Sequence, residues 1–159
     1  MNARELPIDP LPTAATESDD PIVRARAVIA QMTSSYHRWV REDVQRLADS
    51  YKAFMAHPDA ERIRALAGRF QDLQDQGQTF GYPMVSEIGI LAVRFLDDYD
   101  PLAPREAEVL RLLLEAIELV IDRRMAGDGG TAGLAMMKGL RAAIAKVREG
   151  RNADPQALH

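Results

Sequence analysis

The chain has 159 residues, no cysteine and a net charge of −4, and nearly half of its residues are hydrophobic. That length suits one domain with tails, and the apolar fraction is enough for a core. Without cysteine there is no disulfide framework, no thiolate metal site and no thiol nucleophile. No apolar run approaches the roughly 18–20 residues of a membrane span. The N-terminus lacks the basic start and apolar stretch of a signal peptide. The expectation is a cytoplasmic protein that neither binds nor spans a membrane.

The charge is unevenly placed. Residues 1–20 carry Arg4 against Glu5, Asp9, Glu17, Asp19 and Asp20, so the rest of the chain sums to zero. A neutral body is not the basic footprint of a nucleic-acid-binding protein. The same segment holds Pro7, Pro10 and Pro12 and few large apolar residues. It reads as a disordered acidic tail, residues 1–20, ahead of a helical domain over 21–150 and a frayed end over 151–159.

Asp20-Pro21 is a helix start, with proline at the first helical position. No proline or glycine follows until after Met55. Val23, Ala27 and Ile29 give a short apolar face. Tyr36, Val40, Val44, Leu47, Tyr51 and Phe54 then recur at spacings of three and four, the pattern of an amphipathic helix. Thr33-Ser34-Ser35 fits either the cap of a second helix or the interior of one long helix. His57-Pro58-Asp59 starts the next segment, with Asp59 and Glu61 where the helix dipole favours acids. Its seam is Ile63, Leu66, Phe70, Leu73, Gly77 and Phe80, spaced 3, 4, 3, 4, 3.

Gly81-Tyr82-Pro83 ends that helix and opens another, and so short a connection makes the two antiparallel neighbours. The following seam is Val85, Ile88, Ala92, Phe95 and Tyr99. Asp100-Pro101 and Ala103-Pro104 mark a loop, and a helix runs from Pro104 to about Met125. Gly127-Asp128-Gly129-Gly130 is a break. A last helix carries Leu134, Met137, Leu140, Ile144 and Val147. No stretch alternates as a strand does. The fold class is all-α, an antiparallel up-down four-helix bundle with additional N- and C-terminal helices.

The stretch from Phe70 to about Leu96, with "FQDLQDQGQTFGYP" followed by "MVSEIGILAVRFL", resembles the histidine phosphotransfer domain family. That family has a histidine, a leucine two positions on, then lysine-glycine, and a second glycine ten positions after the histidine. Leu73 and Gly81 match the leucine and the second glycine. The histidine falls on Gln71, the lysine on Gln74 and the first glycine on Asp75. Gly77 to Pro83 is especially similar to a bacterial subgroup.

The resemblance implies a kept scaffold and a lost reaction. Phosphotransfer needs an imidazole nitrogen to attack the acyl phosphate of a receiver-domain aspartate, and the lone pair of an amide nitrogen is delocalised. Gln74 brings no cation to steady the phosphoryl charge. Asp75 adds bulk and negative charge where glycine admits a partner's backbone. The expectation is a non-enzymatic signalling adaptor without cofactor. It would bind a histidine kinase or a response-regulator receiver through Gln71, Asp72, Gln74, Asp75 and Gln78. Asp72 and Asp75 would face the acidic pocket of a receiver, which counts against that partner.

Other readings stay open at this point. His37 or His57 would serve an active phosphotransfer protein, although His37, beside Trp39, is expected to point away from the core. An oligomeric structural bundle is the third reading, with an exposed Met or Leu stripe on the last helix as its contact. Metal chemistry lacks support, since no Glu-x-x-His pair occurs and Asp97-Asp98-Asp100 does not follow a calcium loop. Gly127–Gly130 lacks the Lys-Ser/Thr of a phosphate loop.

Overall fold

The computed structural model describes residues 19–100 and 103–153. Within them the chain is all-α, with five helices and no strand. The acidic tail read from the sequence, apart from Asp19 and Asp20, lies outside the described residues, as do residues 154–159. Among the described residues no helix is long and apolar enough to cross a membrane.

The first helix, α1, spans Pro21–Ala56. Asp20 caps it by accepting a hydrogen bond from the Ile22 amide at 3.0 Å, and Pro21 occupies the first turn. Thr33-Ser34-Ser35 lies inside this one helix. The Thr33 hydroxyl donates to the Ile29 carbonyl at 2.9 Å, one turn back, so it is satisfied without breaking the ladder. The buried apolar residues of α1 all lie in its second half: Val40, Val44, Leu47 and Phe54.

Helix α2 spans Ala60–Gly77 and α3 spans Pro83–Asp97. Asp59 caps α2, accepting from the Arg62 amide at 2.8 Å and from its guanidinium at 2.6 Å. The α2 seam read from the sequence is buried at Leu66, Phe70, Leu73 and Gly77. Gly81 turns the chain at φ +85°, a left-handed conformation that costs glycine little. The Tyr82 amide donates to the Gly77 carbonyl at 2.8 Å, and α3 returns antiparallel along α2.

The two helices of this hairpin pack closely. A Cβ at Gly77 would sit 2.5 Å from Ser86 Oγ, and one at Gly89 would sit 2.9 Å from Gln74 Cβ and 3.0 Å from the Phe70 carbonyl oxygen. The Ser86 hydroxyl, 5% exposed by residue, donates to the Gln74 carbonyl at 2.7 Å and accepts from the Gln78 amide at 3.1 Å. One side chain of α3 thus satisfies two orphan groups at the C-terminal end of α2.

Helix α4 spans Pro104–Asp122, ending a turn before the expected Met125, and α5 spans Gly130–Ala153. The connection carries three glycines at positive φ: Gly127, Gly129 and Gly130. Met137, Leu140 and Ile144 of α5 are buried in the common core. The apolar stripe that the sequence left as a partner surface on the last helix is therefore mostly spent within the chain, with Leu134 still exposed. The helix also runs past Gly150, where fraying was expected. Arg151 pairs with Glu106 at 3.0 Å, and Glu106, only 3% exposed, also accepts from the Asp100 amide at 2.6 Å.

Tyr99 packs edge-on against Phe54 and Phe95 beside this carboxylate. Burial, then the charge of Glu106, push its phenol from the usual 10.0 up to about 12. A raised phenol pKa favours the neutral form in the folded state. Its contribution is complete below pH 10.0 and is lost as pH rises toward about 12.

Three measurements follow from this packing. Gly89→Ala should destabilise the chain by about 1–3 kcal/mol in urea melts, because α2 and α3 must separate. Gly68→Ala, at an exposed helical site with open space around it, should stabilise by about 0.5–1 kcal/mol. Unfolding followed from pH 10 to 12 should show a loss on the order of 1 kcal/mol that Tyr99→Phe removes.

Candidate functional site

With Leu66, Phe70, Leu73 and Gly77 turned inward, helical geometry sends Gln71, Asp75 and Gln78 outward in a row at spacings of four and three. Gln71 is half-exposed in the middle of α2. Its Nε2 donates to Asp75 Oδ1 at 3.0 Å, one turn on. Asp75 and Gln78 are exposed, and Asp72 is exposed on the flank of the row.

Gln74 is half-buried, as Gln71 is, and Gly89 lets α3 close over its Cα and Cβ. It borders the row and does not stand in it. The five residues are thus near one another: Asp72, Asp75 and Gln78 are exposed, Gln71 is half-exposed, and Gln74 is wedged at the α2–α3 seam.

Arg64 and Gly68 continue the row toward the start of α2, giving 64, 68, 71, 75 and 78 at spacings of 4, 3, 4, 3. Both are exposed. The sequence reading passed over them, although the same periodicity reaches them. Gly68 leaves bare backbone one turn before Gln71, so a partner's main chain can approach there.

The chemical repertoire of this row is narrow. It holds amides, carboxylates and one guanidinium, with hydrogen-bond donors and acceptors but no nucleophile. No group of three residues able to hold a metal ion occurs among the described residues.

The two described histidines lie elsewhere. His57 is 73% exposed in the α1–α2 turn, with Nε2 3.6 Å from Asp59 Oδ2. His37 is not the outward-pointing residue expected from the seam. It is half-buried where α1 crosses the α2–α3 turn, and its Nδ1 shares a 3.1 Å hydrogen bond with the Tyr82 hydroxyl. Phe80 in the same turn packs on Tyr36 and Trp39, so this end of the hairpin is an aromatic joint that draws His37 in. Burial, followed by the nearby Arg124 and Arg41, lowers the His37 pKa, against a smaller opposing pull from Asp122.

Compared with models of known protein families, with curated proteins and with solved structures, the chain matches none.

A lowered imidazole pKa means the folded state prefers neutral His37. That preference is in place above the usual 6.5 and is lost as pH falls through the folded value. NMR titration should show His37 protonating below pH 6.5, and His37→Gln should lessen the loss of stability on acidification.

Proposed function

We propose that this chain is a four-helix bundle of histidine-phosphotransfer type that serves as a signalling adaptor, engaging a two-component partner without accepting phosphate. The observation that carries the reading is Gln71. It stands half-exposed at mid-helix, in the place that the resemblance assigns to a phosphoacceptor imidazole, and its Nε2 is committed to Asp75. An amide with a delocalised lone pair cannot take a phosphoryl group from an aspartyl phosphate.

Occupying a partner without reacting would block or redirect a phosphorelay. The contact surface in this reading is Gln71, Asp72, Asp75 and Gln78, with Gln74 at its edge. Gly68 supplies the bare backbone that Asp75 removes from the other side of Gln71. Two exposed carboxylates would meet the acidic pocket of a receiver, so a histidine kinase is the favoured partner. The bundle would then be cytoplasmic, alongside the kinase's catalytic region.

Activity through His57, the exposed imidazole, is the competing reading, and it differs in one readout. Incubation with a labelled, phosphorylated receiver should leave the native chain without acid-labile label. The triple variant Q71H/Q74K/D75G should become labelled at position 71. In pull-downs against a panel of kinases and receivers, Asp75→Arg should reduce capture by ten-fold or more. Label on His37 or His57 of the native chain, or the absence of any captured kinase or receiver, would defeat the adaptor reading.

A further inference from the structure

Helix α1 is 36 residues long, about 54 Å, whereas α2, α3 and α4 have 18, 15 and 19 residues and reach only about 22–28 Å. The excess lies at its N-terminal end. The joint at Tyr36, His37 and Trp39 with Phe80 and Tyr82 marks where the helical body stops. Beyond it, residues 21–34 form an overhang on which Ile22 is 65% exposed, Ile29 63% and Met32 48%, with Val23, also 48% exposed, off to one side.

These side chains are ordered along the helix. Ile22, Ala25, Ile29, Met32 and Tyr36 fall at spacings of 3, 4, 3, 4, the a and d positions of a heptad seam, with isoleucine at both exposed a positions. By helical periodicity the seam continues the face that Leu47 and Phe54 bury further along α1. It is a core face that has run out of core.

We infer that the overhang is a homodimerisation element, and that its occupant is the same segment of a second copy, packed antiparallel. Orientation follows from the continuity of the face. In a parallel pair each overhang would face its partner, and the two helical bodies on that same face would claim the same space. Run antiparallel, the bodies go to opposite ends.

The register also follows. Four layers fill when Ile22 meets the partner's Met32 and Ala25 meets the partner's Ile29, each a residue against a d residue and the smallest side chain against a β-branched one. The two-fold axis repeats both pairs, as a closed C2 interface requires. Four layers of one helix pair make a small interface beside the roughly 1,000 Å² at which specific interfaces begin, so the dimer is concentration-dependent.

The full chain tests this by sedimentation velocity over a range of concentrations. Native protein should pass from monomer to dimer, and Ile29→Asp should move the midpoint at least ten-fold higher while circular dichroism and the urea midpoint of the body stay unchanged. Because the chain has no cysteine, orientation can be read by single-cysteine cross-linking. Ala25→Cys mixed with Ile29→Cys should cross-link between the two variants far faster than either does with itself. A chain that stays monomeric, a dimer indifferent to Ile29→Asp, or self-links that dominate would each overturn the proposal. So would a monomer whose overhang gains hydrogen-exchange protection only on vesicles of anionic lipid, which would assign the seam to a membrane surface. None of these outcomes depends on phosphoryl transfer or on capture of a kinase.

Discussion

The Ser86 hydroxyl sets the distance between α2 and α3, and much else depends on that distance. It fits into the notch left by Gly77 and closes two backbone groups at the end of α2. A larger residue at 77 or 89 would hold the helices apart, and an apolar residue at 86 would leave the part-buried Gln74 carbonyl and Gln78 amide without their partner. The same closeness fixes which side of α2 remains open. Phe70, Leu73 and Gly77 are pressed inward, Gln74 is half-covered, and Gln71 with Asp75 is left facing out.

The layout of helices was legible because punctuation in this chain is strong. Asp20-Pro21, Pro58-Asp59, Gly81-Tyr82-Pro83, Pro104 and the glycines from 127 to 130 each stop or start a helix for a local reason. The seam of α2 was legible from its period. What stayed hidden depended on the third dimension. Thr33-Ser34-Ser35 is equally compatible with a cap and an interior until the hydroxyl is seen to bond back to Ile29. His37 reads as outward on its own helix, and only the arrival of Tyr82 from a distant turn encloses it. Gly89 gives no sign in sequence that it will cover Gln74. The short apolar face read as Val23, Ala27 and Ile29 shares only Ile29 with the exposed seam, and all helix lengths were needed side by side before that seam could be seen to extend past the body.

The exposed row on α2 and the seam on the α1 overhang are different kinds of surface. The first is polar and free of nucleophilic side chains, suited to recognition by hydrogen bonds. The second is apolar, with the periodicity of a packing face. The aromatic joint at Phe80 and Tyr82 ties the two together. It anchors the root of the overhang to the turn that follows the row, so the overhang leaves the body in a defined direction.

Glu106 and Arg151 lie 45 positions apart (151 − 106) and meet at the junction of α3 and α4. During synthesis the carboxylate emerges from the ribosome well before the guanidinium that neutralises it. Until then, drawing Glu106 into the interior is opposed by the desolvation of an uncompensated charge. Closure of the core around Tyr99 is thus favoured by the arrival of the last turns of α5, which add Arg151 to the bond that the Asp100 amide already gives Glu106.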